Sequence, residues 1–290
     1  MKAVIPAAGF GTRFLPFTKS VPKEMIPVVD KPVIQYVVEE AVQSGVTDIL
    51  IVLSSGKEAV IRHFNPEPEL ERRLEETRKE KLLAELRAVG SGVSIQYVFQ
   101  PELNGLGGAV LCARSFVGSD PFAVLLGDNI MSGTRPVLAE LLDVFREKNA
   151  FTVAVEEVPR ERVSLYGVID GTDQGNGVFK LRSLIEKPSP EEAPGNLAVC
   201  ARYVFPASIM ECLEAVPPGR NNEIQLTDAM RLLLEREPGY AVRIRGKRHD
   251  AGDKLSFLLT TLDFALARPE YREPLLRRIR EIASGHPDRP

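Results

Sequence analysis

The chain has 290 residues, 44% hydrophobic and 27% charged, proportions typical of a soluble globular protein rather than a fibrous or disordered one. Its 37 basic and 40 acidic residues give a net charge of −3, which excludes the broad positive surface of a nucleic-acid-binding protein. The length is enough for one large core, and no apolar run approaches the roughly 20 residues of a membrane span, so we expect no membrane contact.

The first half of the chain alternates short apolar runs with helical periodicity. A helix is expected from Pro32, a residue suited to a first helical position, to Gly45. The apolar runs have the length of strands covered on both faces. They are residues 3–5, 48–53, 93–98 and 122–126. Strand, helix and strand in succession predict an α/β fold with a Rossmann-like, mixed but mostly parallel central sheet flanked by helices.

Residues 66–87 form a separate feature, dense in Glu, Arg and Lys, which we interpret as one inserted amphipathic helix. Its apolar stripe consists of Leu70, Leu74, Leu82, Leu83 and Leu86. Two alternatives stay open for this stripe. It covers the chain's own sheet, which is the favoured interpretation, or it contacts a second subunit.

From Thr152 the strands are expected to be shorter and more alternating, with turn residues at 170–177, as in antiparallel pieces. Helices are expected from about Pro206, Gln225 and Lys254, and over Glu270 to Ser284. We therefore expect a single domain, 1–290, in three parts. These are a lobe over 1–150, a smaller antiparallel lobe over 151–250, and C-terminal helices over 251–290.

The cysteines suggest neither a disulfide framework nor a metal site. Cys112, Cys200 and Cys212 are odd in number, widely spaced and set in apolar stretches, so buried free thiols are expected. Reduced thiols and the absence of a signal-like start predict a cytoplasmic protein.

The first strand runs into a loop of small residues, Pro6 to Arg13, where backbone N–H groups can approach a ligand closely. It predicts a phosphate cradle. A P-loop would need Gly-Lys-Ser/Thr, and a dinucleotide fingerprint would need a third glycine where Phe14 stands, so neither motif fits. Gly9 and Gly11 alone leave a purely structural tight turn as an equal alternative.

The continuation of the loop favours a binding role. Arg13 and Lys23 add two cations, and Lys23 opens the motif Pro-Lys-Glu-Met-x-Pro-x-x-x-Lys-Pro over residues 22–32. Together, the glycine loop, Arg13 and the motif over residues 22–32 resemble the signature of sugar nucleotidyltransferases. Within that family they resemble the uridylyltransferases that act on glucose 1-phosphate. Further matching blocks follow in family order across nearly the whole chain. They are Gln100 with 104–107, 125–128, 166–168, 185–188, 196–198, 223–229 and 249–255.

The resemblance implies a nucleotidyltransferase fold of the GT-A-like kind and a role for each matching residue. The implied nucleotide contacts are Ala8, Gly9, Gly11, Glu24, Gln100, Gly105 and Asp128, with Glu24 and Gln100 near the base edge. The implied catalytic cations are Arg13, Lys23 and Lys187. Gly167, Glu186 and Lys187 would bind the sugar phosphate, and Asp128 and Asp250 would hold Mg²⁺.

Elementary chemistry agrees with the metal assignment without settling it. Asp128 follows an apolar strand, so its carboxylate is expected at the carboxyl end of the sheet, where such folds bind ligands; a turn or helix-capping Asp is the alternative. Mg²⁺ is commonly held by one or two carboxylates plus phosphates. Asp253 competes with Asp250, and a role for Asn129 stays open. His249 is interpreted as a packing or hydrogen-bonding residue, because a sugar phosphate oxygen needs no base.

The implied reaction is Mg-assisted in-line attack of glucose 1-phosphate on the α-phosphorus of UTP, releasing pyrophosphate without a covalent intermediate. The resemblance also implies a homodimer or homotetramer. Two alternatives remain: the same chemistry with dTTP or another hexose 1-phosphate, and a nucleotide-sugar binding protein without catalysis. Glu186 and Lys187 could equally be an exposed ion pair. The sequence departs from the family pattern at Asn129, where many relatives carry Asp, and at Gly108, where His is common.

Overall fold

The protein is described by a computed structural model over residues 1–219 and 222–285. Its strands are β1 Lys2–Pro6, β2 Pro27–Val28, β3 Lys31–Pro32, β4 Asp48–Leu53, β5 Ser94–Phe99, β6 Phe122–Leu125, β7 Asn129–Ser132, β8 Phe151–Glu157, β9 Gly167–Asp173, β10 Val178–Glu186, β11 Leu197–Phe205, β12 Gly239–Arg243 and β13 Lys247–Asp250. Its helices are α1 Val33–Gln43, α2 Glu58–Phe64, α3 Pro68–Glu76, α4 Glu80–Ala88, α5 Gly105–Leu111, α6 Arg114–Val117, α7 Val137–Lys148, α8 Ile209–Ala215, α9 Leu226–Leu234, α10 Lys254–Ala267 and α11 Pro269–Ala283.

The centre is a nine-stranded sheet in the order β5-β4-β1-β6-β11-β8-β12-β10-β9. The strands β5, β4, β1 and β6 are parallel, and Val4 lies opposite Leu50 on one side and Val124 on the other. These three side chains belong to one hydrophobic core, whereas their chain neighbours Ile5 and Leu125 belong to the core on the opposite face. Both faces of β4, β1 and β6 are covered, so these strands are largely apolar, as expected. The edge strand β5 contains no buried residue, so the same expectation was wrong for it.

The second half of the chain extends the same sheet. β11 is antiparallel to both β6 and β8, β10 is antiparallel to β9, and β12 is parallel to β8. The antiparallel direction was predicted, and the mixed α/β fold flanked by helices is confirmed. The sheet is evenly mixed rather than mostly parallel, because four of the eight neighbouring strand pairs in its order are antiparallel. The prediction of shorter strands was wrong, because β8 to β11 have seven to nine residues. Register shifts at Val199/Tyr203 and Leu181/Ser183 let such long strands bend within one sheet.

The charged insertion differs from the single helix expected over 66–87. It forms two helices, α3 and α4, and the chain reverses at Arg78, whose φ is 54°. Neither helix contains a buried residue, and they pack against each other with Arg87 bonded to Glu71 and Glu75. The one-helix prediction was therefore wrong, and the apolar stripe does not cover the chain's own sheet.

The remaining helices begin close to their expected positions. Pro32 is the N-cap of α1, and α8, α9, α10 and α11 start at Ile209, Leu226, Lys254 and Pro269. Nothing among the helices of the described ranges is both long and apolar enough to cross a bilayer. The sheet continues without interruption across residue 150, so the division into lobes stays a prediction.

Candidate active site

The glycine loop leaves β1 at the carboxyl end of the parallel strands. The Ala7 N–H donates to Val52 O at 2.8 Å, which holds the start of the loop on the sheet. The next four N–H groups, of residues 8–11, donate to no acceptor within the described part of the chain. Gly11 has φ 67°, and a Cβ there would lie 2.9 Å from Lys23 Cβ. The loop thus offers open donors, and glycine at position 11 lets Lys23 pass close to it.

A cleft of about 500 Å³ opens over this loop. It brings together all the residues predicted to contact the nucleotide, namely Ala8, Gly9, Gly11, Glu24, Gln100, Gly105 and Asp128. Apolar side chains of Leu103, Leu106 and Leu126 complete its wall. Open backbone donors beside an apolar wall suit a ligand that combines phosphates with a flat ring.

Glu24 lies beneath the loop rather than at the rim of the cleft. Only 1% of its side chain is exposed, and both its oxygens accept hydrogen bonds from Lys57 Nζ, at 2.9 and 2.8 Å. Lys57 also donates to the backbone oxygen of Ala7. Burial raises the pKa of Glu24 against the opposing effect of Lys57 and Lys23, and burial lowers the pKa of Lys57 against the opposing effect of Glu24.

Lys57 is a site residue that the motif analysis missed. It follows β4, at the carboxyl end of a parallel strand beside β1, and this position alone could have marked it as a candidate.

Lys23, another cation beside the glycine loop, donates a hydrogen bond to the Asp128 carboxylate at 2.5 Å. Burial alone would lower the pKa of Lys23, but Asp128, Glu24 and Asp250 outweigh it and raise the pKa above its ordinary value. Burial likewise opposes the ionised form of Asp128, and the Lys23 ammonium together with Asn129 lowers its pKa nevertheless. Both groups are therefore charged at neutral pH.

Asp250 stands next to Asp128 because β13 pairs with β7. The register places Asp250 opposite Asn129, and the Ala251 N–H donates to Asp128 O at 3.1 Å. The Asp250 carboxylate accepts from Gly252 N at 2.8 Å and lies 3.3 Å from Arg248 Nη1. The two carboxylates predicted to hold a metal are thus brought together.

The competing residues have other partners. Asp253 caps α10 by accepting from Ser256 N at 3.0 Å, and its pKa is lowered by that hydrogen bond. Asn129 is buried, donates to Asp128 and accepts from Arg248. His249 forms a hydrogen bond with Ser132 Oγ at 2.8 Å and packs edge-on against Phe264, which confirms its interpretation as a packing and hydrogen-bonding residue.

Cys200 and Cys212 are buried free thiols, as expected, whereas Cys112 is half-buried.

A second cleft of about 390 Å³ lies on the other side of Asp128. Gly167, Glu186 and Lys187 line it, so the residues predicted for the sugar phosphate also come together. The predicted catalytic cation Arg13 and the predicted metal ligand Asp250 line this second cleft too. Thr227 Oγ1 donates to Glu186 at 2.6 Å, and a Cβ at Gly167 would lie 3.2 Å from Thr227 Oγ1.

Besides Arg13, the second cleft has two cations, Lys187 and Arg248. Lys187 lies 3.3 Å from Glu186 and is half-exposed. Arg248, which the motif analysis did not single out, is paired with Glu156 and stacked 5.0 Å from the Tyr166 ring. Leu106, Leu126 and Asp128 line both clefts. Ligands in the two clefts would therefore meet at Asp128.

Comparison with known proteins agrees with this geometry. The model of the nucleotidyl transferase family matches residues 2–265. The UTP--glucose-1-phosphate uridylyltransferase YngB of Bacillus subtilis is 47% identical over 97% of this chain and 95% of its own length. An enzyme of the same name from Staphylococcus haemolyticus is 43% identical over 97% of this chain and 98% of its own length.

Solved structures give the same answer. A UTP-bound UGPase from Acinetobacter baumannii is 42% identical, with a TM-score of 0.90 over 97% of this chain and 98% of that one. A UDP-glucose pyrophosphorylase complexed with UDP-glucose is 39% identical, with a TM-score of 0.84 over 92% of this chain and 99% of that one. The resemblance inferred from the motifs is confirmed, and the chain belongs to the nucleotidyl transferase family, among relatives named UTP--glucose-1-phosphate uridylyltransferase.

Proposed function

We propose that this protein transfers the uridylyl group of UTP to glucose 1-phosphate, giving UDP-glucose and pyrophosphate. The observation that carries the proposal is the meeting of two clefts at Asp128, one lined by the glycine loop and the other by Glu186 and Lys187. A nucleotide in the first and a sugar phosphate in the second have their phosphates side by side. The relatives' names supply the identity of the two substrates.

The chain's own residues position the two substrates and neutralise the charge of their phosphates. The open N–H groups of the glycine loop and the Lys23 cation hold the triphosphate, and Arg13 faces its phosphates from the second cleft. Glu186 accepts hydrogen bonds from hexose hydroxyls. Lys187 orients the attacking phosphate oxygen, which is already ionised, so no general base is required. The reaction then depends on alignment and on cations facing the charge that develops on the α-phosphate and on pyrophosphate.

We also propose that Asp128 and Asp250 hold Mg²⁺ when substrates bind. No group of three or more His, Cys, Asp or Glu side chains suited to a metal occurs over residues 1–219 and 222–285. Two adjacent carboxylates, completed by phosphate oxygens, nevertheless match the usual donor set of this ion. Bound there, Mg²⁺ would supply positive charge beside the α-phosphate. A homodimer or homotetramer in the cytoplasm completes the proposal, in line with the resemblance and the free thiols.

Pyrophosphate release from UTP and glucose 1-phosphate, with and without Mg²⁺, tests the function. We expect Lys23→Ala to lower kcat by about 10²-fold to 10³-fold, since one preorganised charge on the transferring group is lost. Lys31→Ala is the matched control, because Lys31 forms a half-exposed pair with Glu39, and it should keep full activity. A Lys23→Ala enzyme as active as the control would contradict the assignment, and a preference for dTTP would contradict the choice of UTP.

A further inference from the structure

Asn104, the residue just before α5, folds its side chain back over the first turn of that helix. A Cβ at Gly108 would lie 1.7 Å from Asn104 Oδ1 and 2.5 Å from its Cγ. Gly108 is helical and is not among the residues with positive φ. Space for the Asn104 side chain, rather than backbone conformation, is therefore what requires glycine at position 108. This accounts for one departure from the family pattern.

The backbone oxygen of Gly105 and the Asn104 side chain together fix which end of the Gln100 carboxamide faces the cleft. Gln100 Nε2 lies 2.9 Å from Asn104 Oδ1 and 3.4 Å from the backbone oxygen of Gly105. A backbone oxygen only accepts, so the Gln100 atom beside it is the amide nitrogen. Asn104 adds a second and shorter acceptor on the same side. The nitrogen end of the carboxamide is thus held against the start of α5.

The oxygen end of the same carboxamide is left for a ligand. Gln100 is 7% exposed and lines the nucleotide cleft. Its Oε1 accepts no hydrogen bond from the described residues. Since no fully buried side-chain nitrogen or oxygen in those residues lacks a partner, this unpaired oxygen is not fully buried. The small accessible part of Gln100 therefore presents a hydrogen-bond acceptor to the cleft.

We propose that Asn104, with the space provided by Gly108, is a positioning residue that makes the cleft select a nucleobase with an N–H donor at ring position 3. Uracil carries N3–H, whereas the N3 of cytosine is an acceptor and would face Gln100 Oε1 without a proton between them. Thymine also carries N3–H. The hold of Asn104 on the Gln100 amide, which we call the lock, therefore selects against cytosine and not against thymine. The proposal rests on the proposed function, because it takes Gln100 as a contact of the base.

The test compares kcat/KM for UTP and CTP, each with glucose 1-phosphate. Asn104→Ala removes the shorter of the two hydrogen bonds that hold Gln100 Nε2 and should lower the UTP-to-CTP ratio about fivefold to tenfold, the size of one oriented hydrogen bond. The change should come from KM for UTP, with kcat and the KM for glucose 1-phosphate within about twofold of wild type. Asn104→Asp keeps an acceptor for Gln100 Nε2 and should retain the wild-type ratio.

Gly108→Ala gives an independent route to the same state. Its Cβ displaces the Asn104 side chain, although alanine is ordinarily the better helix former, so weaker helix formation does not explain a loss of selectivity. The three nearest atoms to that Cβ all belong to Asn104. The double variant Asn104→Ala/Gly108→Ala should therefore be no less selective than Asn104→Ala alone.

The outcomes separate the lock from the function itself. If the wild type releases pyrophosphate and Asn104→Ala keeps its UTP-to-CTP ratio, the lock is overturned and the proposed function stands. Additive losses in the double variant would also overturn the lock, because they would mean that the two residues act separately. A wild type that releases no pyrophosphate from UTP and glucose 1-phosphate would overturn both.

Discussion

Lys57 places a charge where almost no water reaches it, and it holds two parts of the nucleotide cleft at once. Its ammonium donates to the backbone oxygen of Ala7 in the glycine loop. It also donates to the carboxylate of Glu24, which follows Lys23 in the chain. Because burial opposes the charged forms of both Lys57 and Glu24, each depends on the other to remain ionised. A mutation of either one would leave the other charge buried without its partner.

At this scale we expect Lys57→Met to raise KM for UTP by about tenfold and to lower the free energy of unfolding by about 3 to 5 kcal/mol. The glycine loop would lose its anchor and Glu24 would lose its main counter-charge. Steady-state kinetics and urea unfolding measure the two effects. Lys31→Met, the same change at the half-exposed pair with Glu39, should cost about 1 kcal/mol or less. Equal effects of the two variants would refute this role of Lys57.

Single residues also show what the sequence could reveal. The order of the motifs was enough to collect Ala8, Gln100 and Asp128 in one cleft, because each follows or flanks a strand end. It could not reveal that Glu24 is buried against Lys57, since that contact joins segments 33 residues apart. Nor could spacing separate Asp250 from Asp253, because only the pairing of β13 with β7 brings the former to Asp128.

Among the elements, the pair α3 and α4 contributes no buried residue to the core. Its leucines continued a single helical period across residues 70–86, and no Gly or Pro marked the break. The reversal at Arg78 uses a left-handed backbone conformation that sequence rules assign mainly to Gly and Asn, which is why the periodicity predicted one helix. The stripe is left half-exposed, with Leu82 49% exposed.

A prediction about α3 and α4 compares the effect on stability of replacing Leu82 in α4 with that of replacing a buried leucine in α7. Leu82→Ser should change the free energy of unfolding by less than about 0.5 kcal/mol, whereas Leu138→Ser in α7, at 0% exposure, should cost about 3 kcal/mol or more. Urea unfolding at several protein concentrations measures both. A large and concentration-dependent loss in Leu82→Ser would instead mean that a second subunit covers α3 and α4.

Across the whole molecule, one buried ion pair connects elements that are distant in sequence. Arg202, in β11, is fully buried and donates to Glu40 of α1 at 3.0 and 2.7 Å and to the backbone oxygen of Asn129 at 2.8 Å. Glu40 in turn accepts from the backbone N–H of Leu138 in α7. Sheet, two helices and the strand beside Asp128 are thereby held together.

Removing one member of that pair should destabilise the entire fold. We expect Glu40→Ala to lower the free energy of unfolding by about 3 to 5 kcal/mol, because the Arg202 charge stays buried and the Leu138 N–H loses its acceptor. The neighbouring Glu39→Ala, which removes a half-exposed carboxylate, is the matched control and should cost about 1 kcal/mol or less. Chemical denaturation followed by circular dichroism distinguishes them, and similar midpoints would contradict this view of the core.

The close fit between Asn104 and Gly108 also makes the effect of each residue depend on the other. With any side chain at position 108, Asn104 cannot take its present rotamer, so arriving first it would gain nothing. Glycine arriving first weakens α5 by about 1 kcal/mol relative to alanine and gains nothing until residue 104 changes. The pair is therefore an epistatic step, because neither residue contributes to selectivity without the other.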